Sequence, residues 1–155
     1  MIPHGFEAGL VDLWSESGLV AACATVQRRL RADFNIPDLD SITVDIDPSF
    51  SDPEIDRAGP RADAVVIAVG GRRFVAGLAR GVEAACAHGA DTLADDVMDL
   101  LGRPWPELRL RGGGGGVLRA DVDSAGIACW FLGESAACSV GSLRELFDRY
   151  DATWP

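Results

Sequence analysis

Lysine is absent from this chain, whose 14 basic residues are all arginine and face 24 aspartates and glutamates. With the abundance of Ala, Gly and Asp, this points to a GC-rich bacterial genome, which bears on origin and not on mechanism. The net charge of −10 should repel phosphate backbones and anionic lipid surfaces, which are bound through clustered basic side chains. Neither direct nucleic-acid binding nor membrane binding is therefore expected. No apolar run approaches the roughly 18 to 20 residues of a membrane span, and the N-terminus Met1-Ile2-Pro3-His4-Gly5-Phe6 lacks the basic and apolar regions of a signal peptide. The expected location is the cytoplasm. The four cysteines, Cys23, Cys86, Cys129 and Cys138, form no CxxC pair, and in a reducing compartment they are expected to stay thiols.

The 48% of apolar and 25% of charged residues are normal for a globular chain. A length of 155 residues suits one domain spanning 1–155. Phe6, Leu10, Leu13 and Trp14 recur at helical spacing and predict a helix over 6–16; Ser17 is then expected to cap a second helix over 18–33, whose buried stripe is Leu19, Cys23, Val26 and Leu30. Ile42, Val44 and Ile46 alternate with Asp45 and Asp47 as a strand, and residues 49–62 read as a surface loop. Residues 64–69 form an apolar strand, and Gly70-Gly71 turns it tightly into Arg72–Val75. A third helix is expected over 77–88, stopped at His88-Gly89, and a fourth from about 91 to 101, stopped at Gly102. Gly77 and Gly81 are read as small residues that let a helix pack closely.

Gly112–Gly116 reads as a flexible connector to a hairpin of 117–123 and 127–132 and a last helix over 142–150. Trp130 shares a strand face with Ala128 and Leu132, and Cys129 shares the other with Ile127 and Phe131, so this strand needs cover on both sides. The fold class expected is α+β: a mostly antiparallel sheet of about five strands with helices packed on it.

Catalytic signatures such as GxSxG, HExxH and Walker A are missing, and Gly70-Gly71 followed by Gly77 and Gly81 does not match a dinucleotide loop. Only His4 and His88 could serve as an imidazole base. Cys86 and His88, two apart on a helix, point in different directions and are read as structural. The cysteines lack the spacing of a zinc site, and the acidic residues lack the spacing of a calcium loop. No metal and no cofactor are expected.

Trp105-Pro106, Val117-Leu118-Arg119, Gly126-Ile127-Ala128-Cys129-Trp130 and Gly141-Ser142-Leu143 resemble a C-terminal arrangement in uncharacterised small actinobacterial proteins. The resemblance covers roughly a quarter of the chain and implies no activity. Where that arrangement carries Cys and His, this chain has Glu107-Leu108-Arg109 and glycines.

Residues 38–63 are locally −6, and Trp105 is held between two prolines. Both features suit a non-enzymatic accessory or inhibitor-like module that binds a basic protein through an acidic surface. The residues expected to touch the partner are Asp45, Asp47, Asp52, Glu54, Asp56 and Trp105, though Trp105 could instead lid the core. Homo-oligomerisation is left open. The alternative is a small thiol- or carboxylate-dependent enzyme, with Cys86, Cys129 or Cys138 as nucleophile and His88 or an Asp as base.

Overall fold

The computed structural model describes residues 15–50, 62–150 and 152–155. The helix expected over 6–16 and most of the loop over 49–62 lie outside them. The first element is α1 (Glu16–Asp33), and its cap is Ser15, not Ser17: the Ser15 hydroxyl accepts the N–H of Gly18 at 3.0 Å. Satisfying one of the free first-turn donors in this way starts the helix two residues earlier than the sequence suggests. The expected stripe of Leu19, Cys23, Val26 and Leu30 is buried.

Next come β1 (Ile42–Ile46), β2 (Val65–Val69) and β3 (Arg72–Val75), paired antiparallel in that order. Val44 lies opposite Ile67, which lies opposite Phe74. Val69 faces Arg72 across the expected two-residue turn, with Gly70 at φ +59°.

A single helix, α2 (Val82–Leu101), replaces the two expected over 77–101. His88-Gly89 is not a stop, and His88 sits in mid-helix, away from any terminal dipole. The reason is packing: a Cβ built on Gly89 would lie 2.7 Å from Cδ1 of Ile67 and 3.0 Å from Cδ1 of Leu30. Glycine here lets α2 press against both β2 and α1, and burial on two sides outweighs its poor helix propensity of about 1 kcal/mol. Gly77 and Gly81, expected to provide that close approach, instead adopt φ of +74° and +112° around a 3₁₀ turn at Leu78–Arg80.

The remaining strands are β4 (Glu107–Arg109) with β5 (Gly115–Val117), and β6 (Arg119–Val122), β7 (Ala128–Leu132) and β8 (Ser135–Ser139), before α3 (Leu143–Arg149). The α+β class holds, but among the described residues the expected sheet of about five strands is three antiparallel sheets of three, two and three strands. One cause is visible at Leu118, where a strand expected over 117–123 is divided. The Leu118 N–H turns to the carbonyl of Pro106 at 2.7 Å, so Val117 stays with β4 while Arg119 begins a separate ladder with Phe131. The glycine run read as a connector forms the turn and start of the β4–β5 hairpin, where Gly115 has φ +115° and passes against the Leu108 carbonyl. Helix α2 lies on β6 and β7 as well as on α1, and most of the buried apolar residues of these elements form one cluster.

Gly89→Ala should destabilise the protein by about 1–2 kcal/mol despite alanine's better helix propensity, because overpacking a filled core costs more. Urea melts check this: adding Ile67→Val, which deletes the obstructing Cδ1, should make the double variant less unstable than the sum of the two single changes.

Candidate functional site

Two polar arrangements stand out, one buried and one open. The buried one is built on Asp33, the last residue of α1, whose side chain is 0% exposed. Its Oδ2 accepts Trp130 Nε1–H at 2.8 Å and the Gly141 N–H at 2.6 Å, while Oδ1 accepts the Leu143 N–H at 2.9 Å. One carboxylate therefore ties the end of α1 to β7, to the turn after β8 and to the start of α3. Three of the residues that carry the C-terminal resemblance, Trp130, Gly141 and Leu143, are its three donors. The Asp33 signal was hidden in the sequence, because nothing local distinguishes a terminal helix aspartate from a solvated one.

A second tie runs parallel to it. Arg29, one turn earlier on α1, donates from Nε to the Val140 carbonyl at 2.8 Å and from Nη1 to Glu83 at 2.5 Å. Glu83 in turn accepts the Ala128 N–H at 3.0 Å. Burial opposes ionisation of Glu83, but the Arg29 hydrogen bond and that N–H hold its carboxyl below the usual range.

Around these ties sits an aromatic cluster. Trp105, 1% exposed, meets Phe34 at 5.3 Å, Trp154 at 6.0 Å and Trp130 at 6.3 Å between ring centroids, each edge-to-face. The Trp105-Pro106 bond is cis. Trp105 therefore serves the core, and its ring is not available to a partner. Sequence reading overlooked Trp154, whose Nε1 donates to the Asn35 carbonyl at 3.0 Å and whose ring also packs on Phe147.

The open arrangement is a hollow of about 420 Å³ between the turn after α1, the end of β2 and the last turns of α2. Leu39, Val69 and Leu100 give it an apolar floor, and Leu100 is 44% exposed. Asp38, Asp40, Asp96 and Asp99 stand around it. Arg72 pairs with Asp96, whereas Asp38, Asp40 and Asp99 have no cationic or hydrogen-bonding partner among the described residues. Asp38 takes φ +69°, a left-handed conformation that Asp tolerates better than most residues. Asp95, Asp96 and Asp99 occupy the last two turns of α2, which has no basic residue in its last turn. Asp99, in the last turn, faces the negative end of the helix dipole, a placement that costs roughly 0.3–1 kcal/mol.

The sequence-predicted acidic residues divide. Asp45 is exposed on β1, and Asp47 is occupied locally, accepting from the Ser49 N–H at 3.0 Å and Ser49 Oγ at 2.7 Å while pairing with Arg73. Neither lines the hollow. Asp52, Glu54 and Asp56 lie outside the described residues. The hollow's share of α2 escaped the sequence reading because Asp96 and Asp99 are far from Asp38 and Asp40 in the chain.

The thiols are poorly placed for chemistry. Burial pushes Cys86 up to about 11 and Cys138 up to about 12. Burial also raises Cys23, helped by Asp45, and raises Cys129, whose thiol donates to Asp123 at 3.6 Å. Cys86 is fully buried while His88 is exposed against the Phe74 ring, so the two do not meet. No group of three or more metal-binding side chains occurs among the described residues. No described helix is long and apolar enough to cross a membrane. Comparison with protein-family models, curated proteins and solved structures finds no match to this chain.

Desolvation raises the Asp33 carboxyl to about 6, even though its three donors and Arg29 pull it down. The folded state thus holds this proton more tightly than a chain with the ordinary value of 3.8. The group's contribution to stability therefore falls as pH rises from 3.8 to about 6 and is constant above that. The Trp130 indole N–H resonance should titrate with a midpoint near pH 6, and Asp33→Asn should abolish that transition. A separate consequence of the raised thiol values is that all four cysteines should alkylate slowly at pH 7 in the folded protein and rapidly in urea, because the thiolate is the reactive form. One fast-reacting cysteine in the native state would contradict it.

Proposed function

We propose that this protein is a non-enzymatic, cytoplasmic accessory or inhibitor-like module that binds a basic protein through an acidic surface. The hollow floored by Leu39, Val69 and Leu100 is the centre of that surface. The observation that carries the reading is the set of uncompensated carboxylates Asp38, Asp40 and Asp99 around an apolar floor. An apolar side chain of the partner would fill the floor while flanking arginines or lysines meet the rim. Cationic groups there would also offset the unfavourable position of Asp99 at the end of the helix dipole. The net charge of −10 would speed encounter with a basic partner, most strongly at low salt. Asp45 and the segment containing Asp52, Glu54 and Asp56 extend the same reading along residues 38–63. The raised thiols disfavour the thiol-dependent alternative, since none is poised as a nucleophile.

The test is titration of the full chain with a synthetic amphipathic peptide of alternating leucine and arginine, followed by calorimetry at two salt concentrations. Replacing Asp38, Asp40 and Asp99 together with Asn should weaken binding about tenfold and flatten its salt dependence, given roughly 0.2–1 kcal/mol for each exposed charge pair. Unchanged affinity in the triple variant would overturn the reading.

A further inference from the structure

The C-terminal sheet has one covered face, and its other face is only partly open, since Cys129 is 6% exposed and Phe131 is half-buried. Ala128, Trp130 and Leu132 of β7 point to the core side, with Ala128 and Trp130 0% exposed. The opposite row is Ile127, Cys129 and Phe131, and Ile127 is 43% exposed at the mouth of the strand. At the Phe131 end of this row lies a hollow of about 570 Å³, lined by β6, β7, β8 and the two turns that join them. The cross-strand neighbours of Phe131 are Arg119 on β6 and Ala136 on β8, and the half-buried Phe131 lines the hollow between them.

The charges around that hollow are unequal. Arg119 is already taken: its Nε and Nη2 donate to the two carboxylate oxygens of Asp91, each at 2.8 Å. Asp123 is engaged by its own turn, accepting the Ala125 and Ile127 N–H groups at 2.9 Å each and the Cys129 thiol. Asp121 uses only Oδ1, for the Val122 N–H at 2.8 Å. Glu134, exposed in the β7–β8 turn, makes no hydrogen bond or ion pair to the described residues. Free acceptor capacity therefore stands at Asp121 on β6 and at Glu134 beside β8, with an aromatic ring in the same hollow and no uncommitted cation.

An added strand on the β6 edge is disfavoured as the occupant, since the Ala120 N–H goes to Asp91 at 3.4 Å and the Val122 N–H to Asp121, which leaves those edge donors engaged. A flat cation fits better. A guanidinium is planar, weakly hydrated, stacks on aromatic faces and carries several donors in its plane, whereas an ammonium is a strongly hydrated point charge. We propose that the open face of the C-terminal sheet is a docking surface for an arginine side chain of a protein partner, its guanidinium stacked on Phe131 and hydrogen-bonded to Asp121 and Glu134. This surface is separate from the hollow at Asp38, Asp40 and Asp99 and stands or falls independently of it.

The experiment is a nitrogen-15 NMR titration of the full chain with two blocked tripeptides, acetyl-Gly-Arg-Gly-amide and acetyl-Gly-Lys-Gly-amide. The arginine peptide should shift the amides of Ala120–Val122 and Phe131–Ala136 and bind about threefold more tightly than the lysine peptide, the difference expected of an exposed cation–π contact. Phe131→Leu should erase that preference, and Glu134→Gln, an exposed change that leaves the core intact, should weaken both peptides. The Asp38, Asp40 and Asp99 triple variant should bind the arginine peptide at this face as the unaltered protein does, which separates this site from the proposed one. Equal binding of the two peptides, shifts confined to residues 38–40 and 96–100, or no shifts at all would overturn the proposal.

Discussion

The structure depends on one buried charge. Asp33 ends α1 inside the protein, and its carboxylate is the common acceptor for an indole and two backbone N–H groups from three later parts of the chain. A buried carboxylate is costly, and here three donors and Arg29 offset part of that cost while desolvation still raises the group to about 6. The arrangement specifies geometry as much as it stabilises. The first residue of α3, Leu143, and Trp130 of β7 are both bonded to Asp33, which ties the start of that helix and that strand to the end of α1. Arg29 and Glu83 repeat the device one helical turn away, so two polar ties join α1 to the C-terminal sheet.

Those ties occupy the polar groups buried between α1 and the C-terminal sheet. Asp33, Arg29 and Glu83 are engaged in holding α1, α2 and the C-terminal sheet together, and burial keeps the thiols protonated. Facing solvent, beside arginines such as Arg72 and Arg119 that are already paired with acids, are carboxylates set beside apolar patches: aspartates around Leu100, and Asp121 with Glu134 around Phe131. Several of these acids are poorly placed for stability, at the negative end of α2 or without any partner. A protein that retains such charges has surfaces suited to cationic groups, which is the physical basis of both proposals.

Much of the fold was legible in local patterns. The stripe of α1, the alternation of β1, the Gly70-Gly71 turn and the two-faced character of β7 each follow from side-chain period over a few residues. The errors arose where distant contacts overruled local signals. Gly89 looked like a helix terminus because glycine after histidine is a common stop, but Ile67 and Leu30 press against that point and make its lack of a side chain useful within the helix. Val117–Asp123 looked like one strand because it alternates, but the Pro106 carbonyl captures the Leu118 N–H and divides it. Trp105 was readable either as lid or as docking residue, and its ring neighbours decided for the core.

By itself, the sequence determined the α+β class, the acidic character and the absence of familiar catalytic spacings, because composition and short-range period carry those properties. Only the tertiary structure decided that Asp33 is buried, that α2 is continuous and that acids from residues 38–40 meet acids from residues 96–99 across one hollow. These features are contacts between residues up to about a hundred positions apart, with Trp130 97 residues from Asp33 and Leu143 110 residues from it. No local pattern records which helix end will face which strand; that is settled when apolar surfaces pack and the buried polar groups must find partners.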